Sequence, residues 1–89
     1  MSELKKRTAL VTGASSGIGE ETTRSLIRAG FTVYAVARRV DKMEELEKVG
    51  ARLLQMDVTD EESMVTGVQS ILEQEGSIDI LVNNAGYGS

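Results

Sequence analysis

The residues with chemistry to offer fall into four short clusters. The first is the run Thr12-Gly-Ala-Ser-Ser-Gly-Ile-Gly19, which places three glycines and two serine hydroxyls within eight residues. A run of this kind turns the chain sharply and aims several backbone N–H groups at one spot. If a helix begins there, its positive dipole end lies at the same spot, and the natural occupant is a phosphate. Gly13 suits the turn, Gly17 and Gly19 keep the helix start free of side chains, Ser15 and Ser16 supply hydroxyl donors, and Ser16 suits an N-cap. A glycine-rich turn with no ligand is the plainer reading, but three glycines at one helix start cost stability without a compensating role. The Gly-Lys-Ser/Thr that reaches the β- and γ-phosphates of a nucleoside triphosphate is absent. The other clusters are Ala37-Arg38-Arg39, Asp57-Val58 and Asn83-Asn84-Ala85-Gly86.

What the chain lacks narrows the chemistry further. It has no histidine and no cysteine, so thiolate nucleophiles, disulfides and the commonest metal ligands are missing. No metal constellation is visible, and the many glutamates read as solvated helix faces. Tyr34 lies in an apolar run and reads as core or sheet surface, and Tyr87 lies near the end. Net charge is −4 over 89 residues, which disfavours nucleic acid or an anionic membrane as partner. No apolar run approaches the ~20 residues of a bilayer span, and no apolar stretch behind Met1–Arg7 has the length of a signal peptide. A cytoplasmic location is the default expectation.

Four extended runs alternate with three helical patterns to position these clusters. Strands are expected at about 7–12, 32–37, 52–56 and 78–82, and helices at about 17–29, 42–49 and 60–75. Ile18, Thr22, Leu26 and Ala29 form the first helical stripe, and Gly30 stops it. Met43, Leu46 and Val49 form the second, with Asp41 as cap, Glu44 at the third position and Gly50 as the stop. Met64, Val65, Val68, Ile71 and Leu72 form the third, opened by a Thr59-Asp-Glu-Glu62 capping box and closed by Gly76. Strand–helix alternation with short turns means parallel pairing. The fold class is therefore α/β, a Rossmann-like parallel sheet of strand order 3-2-1-4 with three helices, a truncated doubly wound fold. Its switch point lies between strands 1 and 4, and both the glycine loop and Asn83–Gly86 fall at the carboxyl ends there.

The spacing Thr-Gly-x-x-x-Gly-Ile-Gly resembles the short-chain dehydrogenase/reductase family. Asp57-Val58 after strand 3, Asp79-Ile-Leu-Val82 as strand 4 and Asn83-Asn-Ala-Gly86 behind it extend the resemblance from Thr8 to Gly86. It implies a nicotinamide dinucleotide cofactor, with Ile18 and its neighbours in the glycine loop beside the pyrophosphate. The end of strand 2 selects the variant. An NAD site places an acid there to bind the ribose 2′-hydroxyl, whereas this chain has Ala37 followed by Arg38 and Arg39. A guanidinium attracts a 2′-phosphate, so NADP(H) is expected over NAD(H). The alternative is a pair of solvated arginines at a helix entrance. Some NADP-binding family members carry a basic residue just before the second glycine, where this chain has Ser16.

The resemblance further implies that Asp57 accepts from the adenine amino group and that Val58 borders the ring. Helix capping or loop solvation by Asp57 is the alternative. Asn83, Ala85 and Gly86 would border the cofactor ribose or serve the sheet alone. Asp79 reads as a buried strand-start residue supporting the Asp57 loop or the turn. The family's catalytic Asn, Ser and Tyr-x-x-x-Lys pair come after strand 4. Tyr87 precedes Gly88 and Ser89 with no lysine four places on, so it is not that tyrosine. Residues 1–89 thus read as the dinucleotide-binding half-domain of an oxidoreductase acting on a small carbonyl or alcohol, inactive alone, with the catalytic half elsewhere. A non-catalytic dinucleotide-binding or sensing module is the alternative. An open strand-4 edge and a partly shielded sheet face lead to the expectation of self-association, through that edge or by swapping an element.

Overall fold

Thr8–Thr12 (β1) is buried along its whole length, as the central strand of a sheet covered on both faces must be. The computed structural model of the protein describes residues 6–84. Expectations placed on Met1–Lys5, Ala85, Gly86 and Tyr87 lie outside these residues. After β1 come α1 (Gly17–Arg28), β2 (Thr32–Ala37), a 3₁₀ turn (Val40–Met43), α2 (Glu44–Lys48), β3 (Arg52–Gln55), α3 (Glu61–Glu75) and β4 (Ile80–Asn83). The sheet order is β3-β2-β1-β4. All pairs are parallel, and Thr12 lies level with Val36 on one side and Asn83 on the other. The carboxyl ends of these three strands therefore open at the same edge of the sheet.

Alternation along the strands sorts the core into two layers. Ala9, Val11, Val33 and Ala35 face Met43, Leu46 and Ala51, with Leu26 and Ile27 of α1 packed against them. Leu10, Tyr34 and Val36 face the other way, onto Met56 and Ile71, with Val68 of α3 alongside. Both α1 and α2 cover the first face, and α3 alone covers the second. The Tyr34 hydroxyl donates to Glu75 Oε2 at 2.7 Å, and Arg52 lies 3.4 Å from the same oxygen. Burial of the ring and the neighbouring Glu75 carboxylate both raise the Tyr34 pKa. Among the described residues no helix is long and apolar enough to cross a membrane.

Several local expectations are corrected. Ile18 is 73% exposed, and the inward side of α1 is instead formed by Gly19, Thr23, Leu26 and Ile27. The second helix is shorter than 42–49. A 3₁₀ turn takes up Val40–Met43, and no side chain caps either segment, so Asp41 is not a cap. Met43 and Leu46 are fully buried, and their packing, with no cap, holds this segment. Val49 is the C-terminal cap residue and is exposed. The cap of α3 is Asp60, whose carboxylate accepts from the Glu62 N–H at 3.1 Å, while Thr59 bonds backwards to Asp57. Of the expected α3 stripe, Ile71 is buried, whereas Met64, Val65 and Leu72 are exposed. Asp79 is exposed and lies at the amino end of the sheet. Its carboxylate accepts from Thr8 N at 2.8 Å, so it ties β4 to β1, far along the strand from the Asp57 loop.

Candidate functional site

The glycine loop is closed around one hydroxyl. Gly13 turns out of β1 with φ 64°, a left-handed conformation that a side chain would strain. The Ser16 hydroxyl donates to the Gly13 carbonyl at 2.8 Å and accepts from Gly19 N at 3.1 Å, so Ser16 is the N-cap of α1. Ala14 N reaches Val36 O at 3.4 Å and moors the loop to β2. Gly17 and Ile18 are the first two residues of α1, and the first N–H groups of a helix have no partner within it, so theirs could serve a ligand at the helix mouth. Ser15 is exposed on the same rim.

The two helix-start glycines do different things. A Cβ on Gly19 would collide with the Gly13 carbonyl oxygen and the Ala14 Cα, so this glycine lets the loop lie against its own helix. A Cβ on Gly17 would meet nothing within 4 Å. That position is open space in front of the helix mouth, the room a pyrophosphate needs. Both glycines keep the helix start free of side chains, Gly19 for close approach of the Gly13–Ala14 backbone and Gly17 in front of open space.

Thr12 joins this loop to the end of β4. Its hydroxyl donates to Asn83 Oδ1 at 2.9 Å and accepts from Asn84 N at 3.1 Å. Asn84 Nδ2 is buried with no partner among the described residues. A buried unpaired donor beside the carboxyl ends of β1 and β4 suits a site that gains an acceptor when filled.

The second half of the site lies at the ends of β2 and β3. Arg38, Gln55, Met56, Asp57 and Ser63 line an open cavity of about 350 Å³. Arg38 and Arg39 are exposed, and the Gln55 side-chain amide donates to the Arg38 carbonyl at 2.9 Å. The Asp57 backbone N–H donates to Ser63 Oγ at 3.0 Å. Asp57 Oδ1 accepts from both the N–H and the hydroxyl of Thr59, at 2.9 and 2.6 Å. These bonds hold the Asp57 carboxyl below its ordinary pKa, and the Arg38 charge acts in the same direction. Asp57 is thus an ionised acceptor with its second oxygen available, and the cap of α3 is Asp60. Val58 is half-buried, and it lines a second, more apolar cavity of about 350 Å³ with Met64, Val68 and Leu81.

Sequence reasoning named the glycine loop, Arg38, Arg39, Asp57, Val58 and Asn83, and the fold brings these to one edge of the sheet. Ala85 and Gly86 lie outside the described residues. Four supporting residues were missed: Thr12, Gln55, Thr59 and Ser63. Gln55 and Ser63 carried no signal, whereas Thr12 opens the named glycine run and Thr59 the named capping box, though neither was given its observed role. The loop mouth, the open face at Gly17 and the Arg38–Asp57 cavity together fit a dinucleotide, with anion donors at one end and an acid–base pair of charges at the other. In this arrangement the loop would hold the pyrophosphate and the cavity the adenosine end.

Residues 7–89 match the short chain dehydrogenase family. A dehydrogenase/reductase SDR family protein 7-like from Anopheles gambiae is 42% identical over 94 residues, taking in 93% of this chain and 30% of that protein. The NADPH-dependent 1-acyldihydroxyacetone phosphate reductase of Saccharomyces cerevisiae is 41% identical across 97% of this chain and 32% of its own length. A solved short-chain dehydrogenase from Streptomyces avermitilis superposes with a TM-score of 0.86 and 38% identity, over 91% of this chain and 31% of that one. The chain thus spans about a third of the length of these proteins. Loop spacing, strand order and these matches agree: the chain belongs to the short-chain dehydrogenase family.

Proposed function

We propose that these 89 residues are the NADP-binding portion of an oxidoreductase that moves hydride between NADP(H) and a carbonyl or alcohol. The observation that carries the NADP reading is the end of β2. Ala37 leaves no acid to accept from a ribose 2′-hydroxyl, and Arg38 stands on the cavity that also holds Asp57. A 2′-phosphate beside Arg38 gains a charge-assisted bond, where an acid would have repelled it. The NADPH dependence of the yeast relative named above supports the same reading.

When bound, the nicotinamide supplies the hydride donor or acceptor. The chain's own residues bind and orient. The Gly17 and Ile18 N–H groups neutralise the pyrophosphate, Arg38 and Arg39 hold the 2′-phosphate, and Asp57 accepts from the adenine amino group. Thr12 fixes the β4 end through Asn83 and Asn84. In this reading the proton transfer belongs to a part of the protein that these residues do not include, and the chain alone binds cofactor without turnover.

Titrating wild type and Arg38→Ala with NADPH and NADH tests the proposal. Loss of one charge-assisted phosphate contact predicts NADPH binding about ten- to a hundredfold weaker, with NADH little changed. Unchanged NADPH affinity sinks the cofactor reading. No binding of either cofactor by wild type sinks the binding role itself.

A further inference from the structure

We infer that Gln55 is a positioning residue for recognition of the 2′-phosphate, an inference that rests on the NADP reading above. The β2–β3 ladder ends at the pair Ala37 and Gln55, with Met56 N donating to Ala37 O at 3.0 Å. Arg38 has left the ladder. Its carbonyl would be an unpaired strand-end acceptor, and the Gln55 Nε2 supplies the missing donor at 2.9 Å. The side chain thereby extends the ladder by one rung made of an amide that is not backbone.

That rung fixes more than a carbonyl. The peptide group is planar and trans, so holding the Arg38 C=O toward Gln55 turns the Arg39 N–H the opposite way. One hydrogen bond thus fixes the peptide that carries the Arg38 side chain and presents the Arg39 N–H, the two groups that would meet a 2′-phosphate. Neither arginine is held by an ion pair among the described residues. Both are exposed, and Gln55 and Arg38 line the same cavity as Asp57. An exposed arginine with no other restraint samples many orientations and binds an anion with a large loss of freedom. Fixing its backbone beforehand removes part of that cost. Gln55 bonds the Arg38 carbonyl, so the effect inferred here passes through the arginine.

The test uses two probes that differ only in the 2′-phosphate: adenosine 2′,5′-bisphosphate and adenosine 5′-monophosphate. Calorimetry on the 89-residue chain gives the affinity ratio for wild type, Gln55→Met and Gln55→Glu. Gln55→Met keeps length and removes the donor, and the ratio is expected to fall about fivefold, the worth of one ordinary hydrogen bond. Gln55→Glu also lacks the donor and adds a negative charge, so its ratio falls further. A general loss of folding weakens both probes together and leaves the ratio alone. A wild-type ratio near one, or no wild-type binding of the bisphosphate, overturns the NADP reading and this inference with it. A high wild-type ratio retained in Gln55→Met overturns this inference alone.

Discussion

The two faces of this sheet are built from alternate residues of the same strands and are covered to different extents. On one face α1 and α2 lie over Ala9, Val11, Val33 and Ala35, and Met43 and Leu46 are fully buried between them. On the other, α3 alone lies over Leu10, Tyr34 and Val36, and Ile71 is its one fully buried large side chain. Around it Val65 is 52% and Leu81 62% exposed, with Met64 and Leu72 also reaching solvent. The glycine loop springs from the covered face, where α1 is held by its cap and by the mooring of Ala14 to β2. A phosphate site needs its N–H groups fixed in advance, and the closed face supplies that. The open face supplies the Arg38–Asp57 cavity and leaves Leu81, Val65, Met64 and Leu72 exposed.

The largest expected effects test whether the two layers really differ in tightness. Leu46→Ala removes a side chain clamped between two helices and the sheet, and should cost about 3–5 kcal/mol. Ile71→Ala removes one under a single helix that can settle inward, and should cost about 2–3 kcal/mol. Urea midpoints measured at low temperature give both values. For a domain of this size, either is a large share of total stability. Equal losses would show that both layers are equally tight and remove the basis of the comparison.

The glycines of the loop sharpen it next. Gly19→Ala forces a Cβ onto the Gly13 carbonyl and the Ala14 backbone, neither of which yields cheaply, and should cost about 1–3 kcal/mol. Gly17→Ala meets open space. It should leave stability unchanged or raise it by up to about 1 kcal/mol, while filling the room in front of the helix mouth and weakening NADPH binding. Thermal melts with calorimetry separate the two effects. If Gly17→Ala binds NADPH as wild type does, the pyrophosphate does not lie there.

How legible all this was in the sequence follows the same division. The glycine loop, the strand order and the motif positions at the carboxyl edge could be read directly, because each depends on local spacing and on parallel topology. Around α2 the buried pair Met43 and Leu46 was read correctly, but a 3₁₀ turn takes the place of the first helical turn and the cap expected at Asp41 does not form. Asp79 was misplaced although a strand start in a parallel sheet lies at the amino edge; the sequence does not show that its carboxylate turns to the Thr8 N–H of β1. Gln55 and Ser63 were invisible for a related reason. A single polar side chain at a strand end or in a first helical turn is common, and only the fold shows that these two hold Arg38 and Asp57.

The open face leads to a smaller effect on stability and a larger one on assembly. We propose that the isolated chain pairs with a second copy along β4, whose outer edge has no neighbouring strand among the described residues. Leu81, exposed on that strand, would then be covered. Unpaired, apolar edges of this kind are templates for strand addition, and a lysine on the edge blocks it. Light scattering at micromolar concentration should give a mass above one chain for wild type and a monomer mass for Leu81→Lys, with little change in urea midpoint. A monomeric wild type would show that α3 covers enough of its face after all.

The smallest effect concerns the mouth of the open face, where Asp57 binds Thr59 and its N–H binds Ser63 on α3. The folded state depresses the Asp57 pKa, chiefly through the Thr59 bonds. A depressed pKa means that the contribution to stability is fully present above the ordinary aspartate range and is lost as pH falls through the folded value. Asp57→Asn keeps an acceptor oxygen for Thr59 but removes the charge. It should therefore be slightly less stable than wild type at neutral pH, with the gap closing in strong acid once wild-type Asp57 is protonated. Urea midpoints of the two chains across the acid range measure the gap. A gap that persists unchanged below the folded pKa would mean that Asp57 acts through shape alone, and that its ionised form is not what holds the turn at Thr59.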